Sequence, residues 1–343
     1  MSADQIQDNP FADLAIDLPD LAVLQGQTAA ASVADRPYGE MAAGVRWVAT
    51  VRSGARAPFE QIQAIVLAAD HGIAAQRVST AEPAASTERA KAALSGASTL
   101  NLLAEAAGAQ LAVIDVGLDS EPLGEPSARR VRRGSGVLGS EDVLTASEVA
   151  AAIALGRSLA DEYVDAGADL LVPCIIGVGA STPAATLVAA VLGDEPAAMT
   201  GRGSGIDDNA WMRKCAAVRD GLRRARSRPA DPAGILSAAG GVDIAVVTGL
   251  VLQAANRRTP VLLDGVAVLA GALVASEVSY AGTDWWWAPQ LGDDPAELKA
   301  AEALHLTAPT ARLRLRLGDG AGALAVLPLF QSMLRLAART HSQ

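Results

Sequence analysis

The chain has 343 residues, half of them hydrophobic, and a net charge of −10. That length holds one large α/β domain or two modest ones, and the acidity excludes the basic face that general nucleic-acid binding needs. Aromatics make up only 3%, so helices pack through small side chains, and the two cysteines, Cys174 and Cys215, form no CxxC or Cys/His cluster that would suggest a disulfide framework or a zinc site.

Residues 1 to about 40 combine scattered acids and prolines with little periodicity and read as an arm. The start, MSADQIQDNPFADLAIDLPD, has neither a basic leader nor an apolar core. No apolar run reaches the ~18 residues of a membrane span, so the expectation is a cytoplasmic protein without a membrane partner. Glu40 to Ser53 reads as a helix. Gln63 to Gly72, QAIVLAADHG, is a buried strand running into a loop, and Ala84 to Ala107 is alanine-rich and helical. Gln110 to Gly117, QLAVIDVG, is a second strand, followed by the basic turn Arg129 to Gly136. Thr145 with Glu148 three residues later is a capping box that opens a helix through Leu159. Asp169 to Gly179, DLLVPCIIGVG, is a third strand and loop. Thr182-Pro183 then opens a helix with Pro183 at its first position. Gly240 to Ala255 is helical, Pro260 to Gly265 a strand and Ala267 to Ala275 a helix. Continuous apolar strands alternating with helices predict a parallel sheet covered on both faces, with ligands at the carboxyl ends of its strands. Asp70, Asp115, Gly177, Gly179, Gly203 and Asp264 fall at such ends.

Thr200 to Lys214, TGRGSGIDDNAWMRK, carries glycines at alternate positions, Gly201, Gly203 and Gly205, then Asp207 and Asp208, with Lys214 in the helix that follows. It reads as a strand end, a glycine loop and a helix start. Either it is an anion cradle, or it is a tight turn whose Asp207 or Asp208 caps the helix. Trp285-Trp286-Trp287 either stacks on an aromatic ligand or belongs to the core or a dimer interface. In the last glycine loop, Leu315 to Ala323, a single carboxylate, Asp319, precedes a long apolar helix ending near Ala338. Asp319 is there as a general base or as a turn former and cap.

Several segments together resemble one family. They are Ala69-Asp70-His71-Gly72-Ile73-Ala74, Val131 to Gly136, Asp165 to Leu171, Gly177-Val178-Gly179, Gly203 to Asp208, Arg213-Lys214, Gly240-Gly241, Asp264-Gly265 and Arg316 to Gly322. In this order, over roughly residues 60 to 338, they look like the nicotinate-nucleotide–dimethylbenzimidazole phosphoribosyltransferases of cobalamin lower-ligand synthesis. The resemblance implies a Rossmann-like α/β domain, expected over residues 60–290. It also implies a smaller, mostly helical domain from both chain ends, 1–59 plus 291–343, and a homodimer. The reaction it implies is attack of a benzimidazole nitrogen on the anomeric carbon of nicotinate mononucleotide, with nicotinate leaving and no metal or cofactor required. It maps the base onto Asp319, which replaces a glutamate. It maps the phosphate cradle onto Gly177, Gly179, Gly203 and Lys214. The other substrate contacts map onto Ser79, Glu88, Ser181, Thr182, Ser204, Gly205, Arg316, Leu317 and Gly318.

The departures from the family pattern fall at polar, substrate-facing positions. Ile175 stands where an acidic residue precedes the first glycine loop, and Ala180-Ser181-Thr182 replaces Asn-Thr-Thr. Glu88 replaces a glutamine, and Arg36-Pro37-Tyr38-Gly39 is all that remains of a Lys-Pro-rich loop. Ala288 to Asp293 replaces a histidine-containing loop. Two accounts fit: an active transferase with an altered acceptor, or a catalytically weakened paralogue that binds a nucleotide or base.

Overall fold

Two apolar runs form the centre of the molecule, β1 (Ile62–Ala69) and β3 (Leu170–Ile176), and every residue of both is buried. With β2 (Ala109–Gly117), β4 (Val261–Leu262) and β5 (Trp286–Trp287) they make a parallel sheet in the order β2-β1-β3-β4-β5. The computed structural model describes residues 9–19, 36–228, 231–306, 313, 315, 317, 318 and 320–340. Around the sheet lie α1 (Ala42–Val51), α2 (Ala85–Leu94), α3 (Thr99–Ala107), α4 (Ala146–Asp165), α5 (Ser181–Leu192) and α6 (Pro196–Met199). They are followed by α7 (Asp208–Arg226), α8 (Pro232–Ala239), α9 (Val242–Asn256), α10 (Val266–Val278), α11 (Pro295–Ala303) and α12 (Ala321–Thr340).

The period of two along each strand divides the core. Ile65, Leu67 and Ala69 of β1 join Leu171 and Ile175 of β3 under α4, α5 and α7 to α11. Ala64, Val66 and Ala68 join Val172, Cys174 and Ile176 under α1, α2, α3 and α12. Successive side chains of a strand point to opposite faces, so both faces need apolar cover, and the helices supply it. The tightest crossing is between α4 and α9. There Gly156 lies against the Val246 carbonyl and Gly249 against the Ile153 carbonyl, with no room for a Cβ on either.

Local chemistry explains where elements begin and end. Thr145 and Glu148 do form the capping box, and α4 continues past Leu159 to Asp165. The helix expected over Ala84 to Ala107 is two helices. Gly96 adopts φ +79° and Ser98 caps α3 reciprocally with Asn101, so the chain stops and restarts. Pro183 is the third residue of α5 rather than the first. No strand leads into the Thr200 loop; the short α6 does, and Thr200 itself is extended. The three tryptophans are buried. Trp286 and Trp287 form the edge strand β5, and Trp287 packs between Trp47 (ring centroids 5.7 Å apart) and Phe330 (4.6 Å).

By length and composition α12 could cross a membrane over Ala321–Arg339, longer than the apolar run expected from the sequence. More than half of it is buried in the fold, where Leu324, Leu327, Phe330 and Leu334 face Trp287 and the sheet.

The α4–α9 crossing yields a stability prediction. Gly249→Ala drives a methyl into the Ile153 carbonyl, and overpacking of this kind costs on the order of 1–3 kcal/mol. Urea unfolding is expected to show stability lowered by that amount.

Candidate active site at the carboxyl edge of the sheet

Strand order reverses between β1 and β3, and in open α/β sheets the crevice outside the carboxyl ends at such a point is where ligands bind. Here β1 ends in Asp70-His71-Gly72 and β3 in Gly177-Val178-Gly179. Asp70 accepts the Asp119 amide through its carboxylate (2.8 Å) and gives its carbonyl to the Ser135 amide (2.9 Å). His71 is buried, with Nε2 3.0 Å from Asp243 Oδ2 at the start of α9. Burial alone would lower its pKa, but the Asp243 carboxylate, helped by Asp70, holds it above the ordinary histidine value. Two glycines make room for the ring. A Cβ on Gly177 would lie 3.0 Å from the Ala69 carbonyl and 3.1 Å from His71 Nε2, and a Cβ on Gly241 would run into the imidazole. Gly177 is thus required by close packing, whereas Gly179, at φ +88°, is required by its backbone conformation.

The loop after β3 leads into α5, and there several of the expected residues meet. The Lys214 ammonium, on α7, donates to Ser181 Oγ (2.9 Å) and to the Gly201 carbonyl (3.0 Å). A Cβ on Gly203 would lie 3.2 Å from that hydroxyl and 3.4 Å from Lys214 Nζ. Lys214 is 1% exposed, and no carboxylate lies within ion-pair distance of it among the described residues. Burial lowers its pKa; Asp294 opposes this from farther off. Asp294 caps α11 through the Ala296 amide (3.0 Å), and its carboxylate occupies the space a Cβ on Gly201 would need. Ser181, Gly203 and Lys214 therefore surround one point beside the amino end of α5, which a helix dipole makes favourable for an anion. Thr182, the next residue, is fully buried, and its Oγ1 has no partner among the described residues.

The rest of the Thr200 loop ties this point to the segment after β1. Ser204 Oγ lies 3.2 Å from Ser79 Oγ and accepts the Thr80 amide (2.9 Å), and Arg213 donates to the carbonyls of Gln76 and Arg77. Asp207 caps α7 through the Ala210 amide (2.8 Å), while Asp208 pairs with Arg202. Gly205 is at φ +90°, with open space beside it. Glu88 is exposed on α2 and pairs with Lys91 of the same helix, outside this group. From the same helix, Ser86 accepts the Val178 amide (2.9 Å) and fixes the glycine loop from below.

The carboxyl end of β3 is closed by the last glycine loop. Gly318 and Gly320 have φ of +73° and +77°, and a Cβ on Gly320 would lie 3.0 Å from Cys174 Cα. Leu317 is exposed; Arg316 and Asp319 lie outside the described residues. Just beyond, the Gly322 amide at the start of α12 donates to Asp264 Oδ2 (2.9 Å), and Gln290 Nε2 donates to the other oxygen. Burial pushes Asp264 up, against those hydrogen bonds. Glu297, on the first turn of α11, accepts the Gly292 amide (2.6 Å). Burial, with Asp264, Asp294 and Asp293 nearby, pushes its carboxyl up to about 8 despite that bond.

Sequence reasoning missed Ser86, Asp243, Gln290, Asp294 and Glu297. Asp294 alone carried a local signal, an aspartate before Pro295 with Glu297 three residues on. Ile175, where an acidic residue was expected, is buried in the core, and Ala180 gives α5 no side-chain cap.

The sequence model of a family described as "Phosphoribosyltransferase" matches residues 23–343. A protein of Mycobacterium tuberculosis named nicotinate-nucleotide–dimethylbenzimidazole phosphoribosyltransferase is 46% identical over 290 residues, covering 83% of this chain and 80% of that one. One of the same name from Streptomyces avermitilis is 45% identical over 298 residues, covering 85% and 79%. The crystal structure of CobT from Thermus thermophilus superposes with a TM-score of 0.84 at 31% identity, over 92% of this chain and 95% of that one. The chain belongs to this phosphoribosyltransferase family, whose relatives are named for nicotinate nucleotide and dimethylbenzimidazole.

Proposed function

We propose that this protein transfers the phosphoribosyl group of nicotinate mononucleotide to 5,6-dimethylbenzimidazole or a related base, giving α-ribazole 5′-phosphate and nicotinate. The observation that carries the reading is the Lys214 ammonium held between Ser181 and Gly201, beside Gly203 and the amino end of α5. A nucleotide 5′-phosphate there takes the free N–H of Lys214 and the amides of the Gly177 and Gly203 loops, with Gly179, Thr182, Ser204 and Gly205 completing the cradle. Among these groups the phosphate fixes where the ribose lies. The pyridinium leaves as neutral-ring nicotinate, because the pair of the broken C–N bond returns to its ring nitrogen. One benzimidazole nitrogen forms the new bond to the anomeric carbon, and the proton on the other nitrogen goes to Asp319. Ser79 is assigned to the acceptor base, and Leu317 and Gly318, which precede Asp319 in the chain, to the substrate contacts beside it; Glu88, exposed and paired with Lys91, reaches the base only by leaving that pair.

The proposal includes a homodimer acting in the cytoplasm, with the chain ends forming the smaller of two domains. The likeness to named transferases over four fifths of the chain supports catalysis and does not favour a protein that only binds.

Release of nicotinate from nicotinate mononucleotide, dependent on added dimethylbenzimidazole, is the first expected result. Lys214→Met keeps the apolar stem and removes the charge; a charge-assisted contact contributes ~1.5–3 kcal/mol, so calorimetry should read nucleotide affinity at least about tenfold weaker. Equal affinity would mean Lys214 is structural. Asp319→Asn should stop transfer while leaving nucleotide binding in place, and Asp319→Glu should hold or raise the rate with benzimidazoles. An Asp319→Asn variant as fast as the parent would reduce Asp319 to a turn former. Sedimentation at micromolar concentration is expected to give a dimer, and a monomer there counts against the assembly.

A further inference from the structure

We propose that Glu297 is a positioning residue for the transfer, holding through Gly292 and Gln290 the Asp264 carboxylate to which the start of α12 is tied. The inference rests on the phosphoribosyl-transfer reading and deepens it.

The connection is continuous. Glu297 Oε1 accepts the Gly292 amide at 2.6 Å, and a Cβ on Gly292 would lie 3.1 Å from Oε2, so the carboxyl is packed onto that peptide. Two residues earlier, Gln290 reaches Asp264 with its amide nitrogen. Asp264 accepts the Gly322 amide at 2.9 Å with its second oxygen. A Cβ on Gly322 would collide with both the Gln290 amide and the Asp264 carboxylate, so the opening turn of α12 sits directly on the pair. Two residues before Gly322 is Gly320, seated on Cys174 at the end of β3. Gly320, which follows Asp319 in the chain, therefore takes its place from a contact chain whose far end is the Glu297 carboxyl.

That end is sensitive to charge. The ionisable groups facing Glu297 are Asp264, from the segment after β4, and Asp293 and Asp294, from the turn before α11. One cation, Lys214 on α7, acts on Asp294. A protonated Glu297 accepts the Gly292 amide without adding charge to three neighbouring carboxyls. Above about pH 8 it ionises in a buried, acidic surrounding, and repulsion loosens the Gly292 turn and with it the Gln290–Asp264 contact. The Lys214 contacts go to Ser181 and Gly201, outside this chain of contacts. The loss is thus in turnover rather than in nucleotide binding.

The test is the pH dependence of transfer from nicotinate mononucleotide to dimethylbenzimidazole between about pH 6.5 and 9.5, for the parent, Glu297→Gln and Glu297→Ala. In the parent, kcat should fall about tenfold per pH unit above about pH 8, with the nucleotide KM within about threefold throughout. Glu297→Gln keeps an acceptor for the Gly292 amide and cannot ionise, so its alkaline limb should move up by about one unit or more. Glu297→Ala should lose about tenfold or more in kcat at about pH 7, again with little change in KM. An alkaline limb unchanged in Glu297→Gln overturns the inference, as does a Glu297→Ala kcat equal to the parent's. If Glu297→Ala does not fold, the Glu297→Gln limb decides. If the parent transfers nothing at any pH, the proposed function fails on its own terms. Amide hydrogen exchange over 318–327 then decides for Glu297. Protection, corrected for intrinsic rate, should fall above about pH 8 in the parent and persist in Glu297→Gln. Identical profiles overturn the inference.

Discussion

A lysine ammonium buried between a serine hydroxyl and a peptide carbonyl sets the terms for this carboxyl edge. Taking such a charge out of water costs several kcal/mol per ion unless other groups replace the solvent. Lys214 has two neutral acceptors and no carboxylate in contact among the described residues, and the amino end of α5 beside it is itself positive. Two positive features converge, offset chiefly by Asp294 from beyond Gly201. The arrangement favours an incoming anion and explains the local glycines. Gly201 has no space for a Cβ beside Asp294, and Gly203 turns at φ +48° over the ammonium. A side chain at Gly201 would run into the Asp294 carboxylate, and one at Gly203 would be strained by its φ and crowd the Ser181 hydroxyl.

The sheet makes that arrangement rigid. Because both faces of β1 and β3 are covered, their carboxyl ends cannot shift without disturbing two cores at once. His71 sits at this edge between Gly177 and Gly241 and bonds to Asp243, so the ends of β1 and β3 and the start of α9 share one buried ring. The glycine loop after β3 is thereby fixed from three sides: by His71, by Ser86 through the Val178 amide, and by Ile73 and Ala74 under Gly179.

Much of this was legible in the sequence because it depends on short-range chemistry. Short apolar runs such as Ile65-Val66-Leu67, ended by a turn signal, read as fully buried strands, and Thr145 with Glu148 announces a helix start. Glycines at 177, 179, 203 and 205 mark where backbone must bend or approach closely. The misreadings have equally definite causes. The alanine-rich stretch hid the Ser98–Asn101 cap because asparagine is a weaker third-position signal than glutamate. The extended Thr200 looked like a strand end because α6 is too short for helical periodicity to register. Asp243, Gln290 and Glu297 were invisible for another reason: each matters through a partner far away in sequence or through burial, as His71 and Asp243 do across 172 positions. Lys214 was the exception, found because it lies on the helix that the glycine loop opens, although its burial was not foreseen.

The carboxyl edge is also where this chain's polar groups are least settled. Among the described residues, five buried side-chain polar atoms lack a hydrogen-bond partner in the protein, and three of them are His71 Nδ1, Thr182 Oγ1 and Gln290 Oε1. All three belong to the carboxyl edge, whereas the apolar layers beneath carry none. An unmet buried donor or acceptor costs about 1–3 kcal/mol, so a fold selected for stability alone would not collect them in one place. Such local inconsistency is expected where a surface must remain available to a ligand. Ile175 shows the opposite solution. There, where the resemblance implied a carboxylate, an apolar side chain packs into the core, so no further acid is buried at an edge that already holds Asp264, Asp294 and Glu297. The acids of this edge gather at the start of α11, against the Gly292 turn after β5 and, through Gln290 and Asp264, the opening of α12.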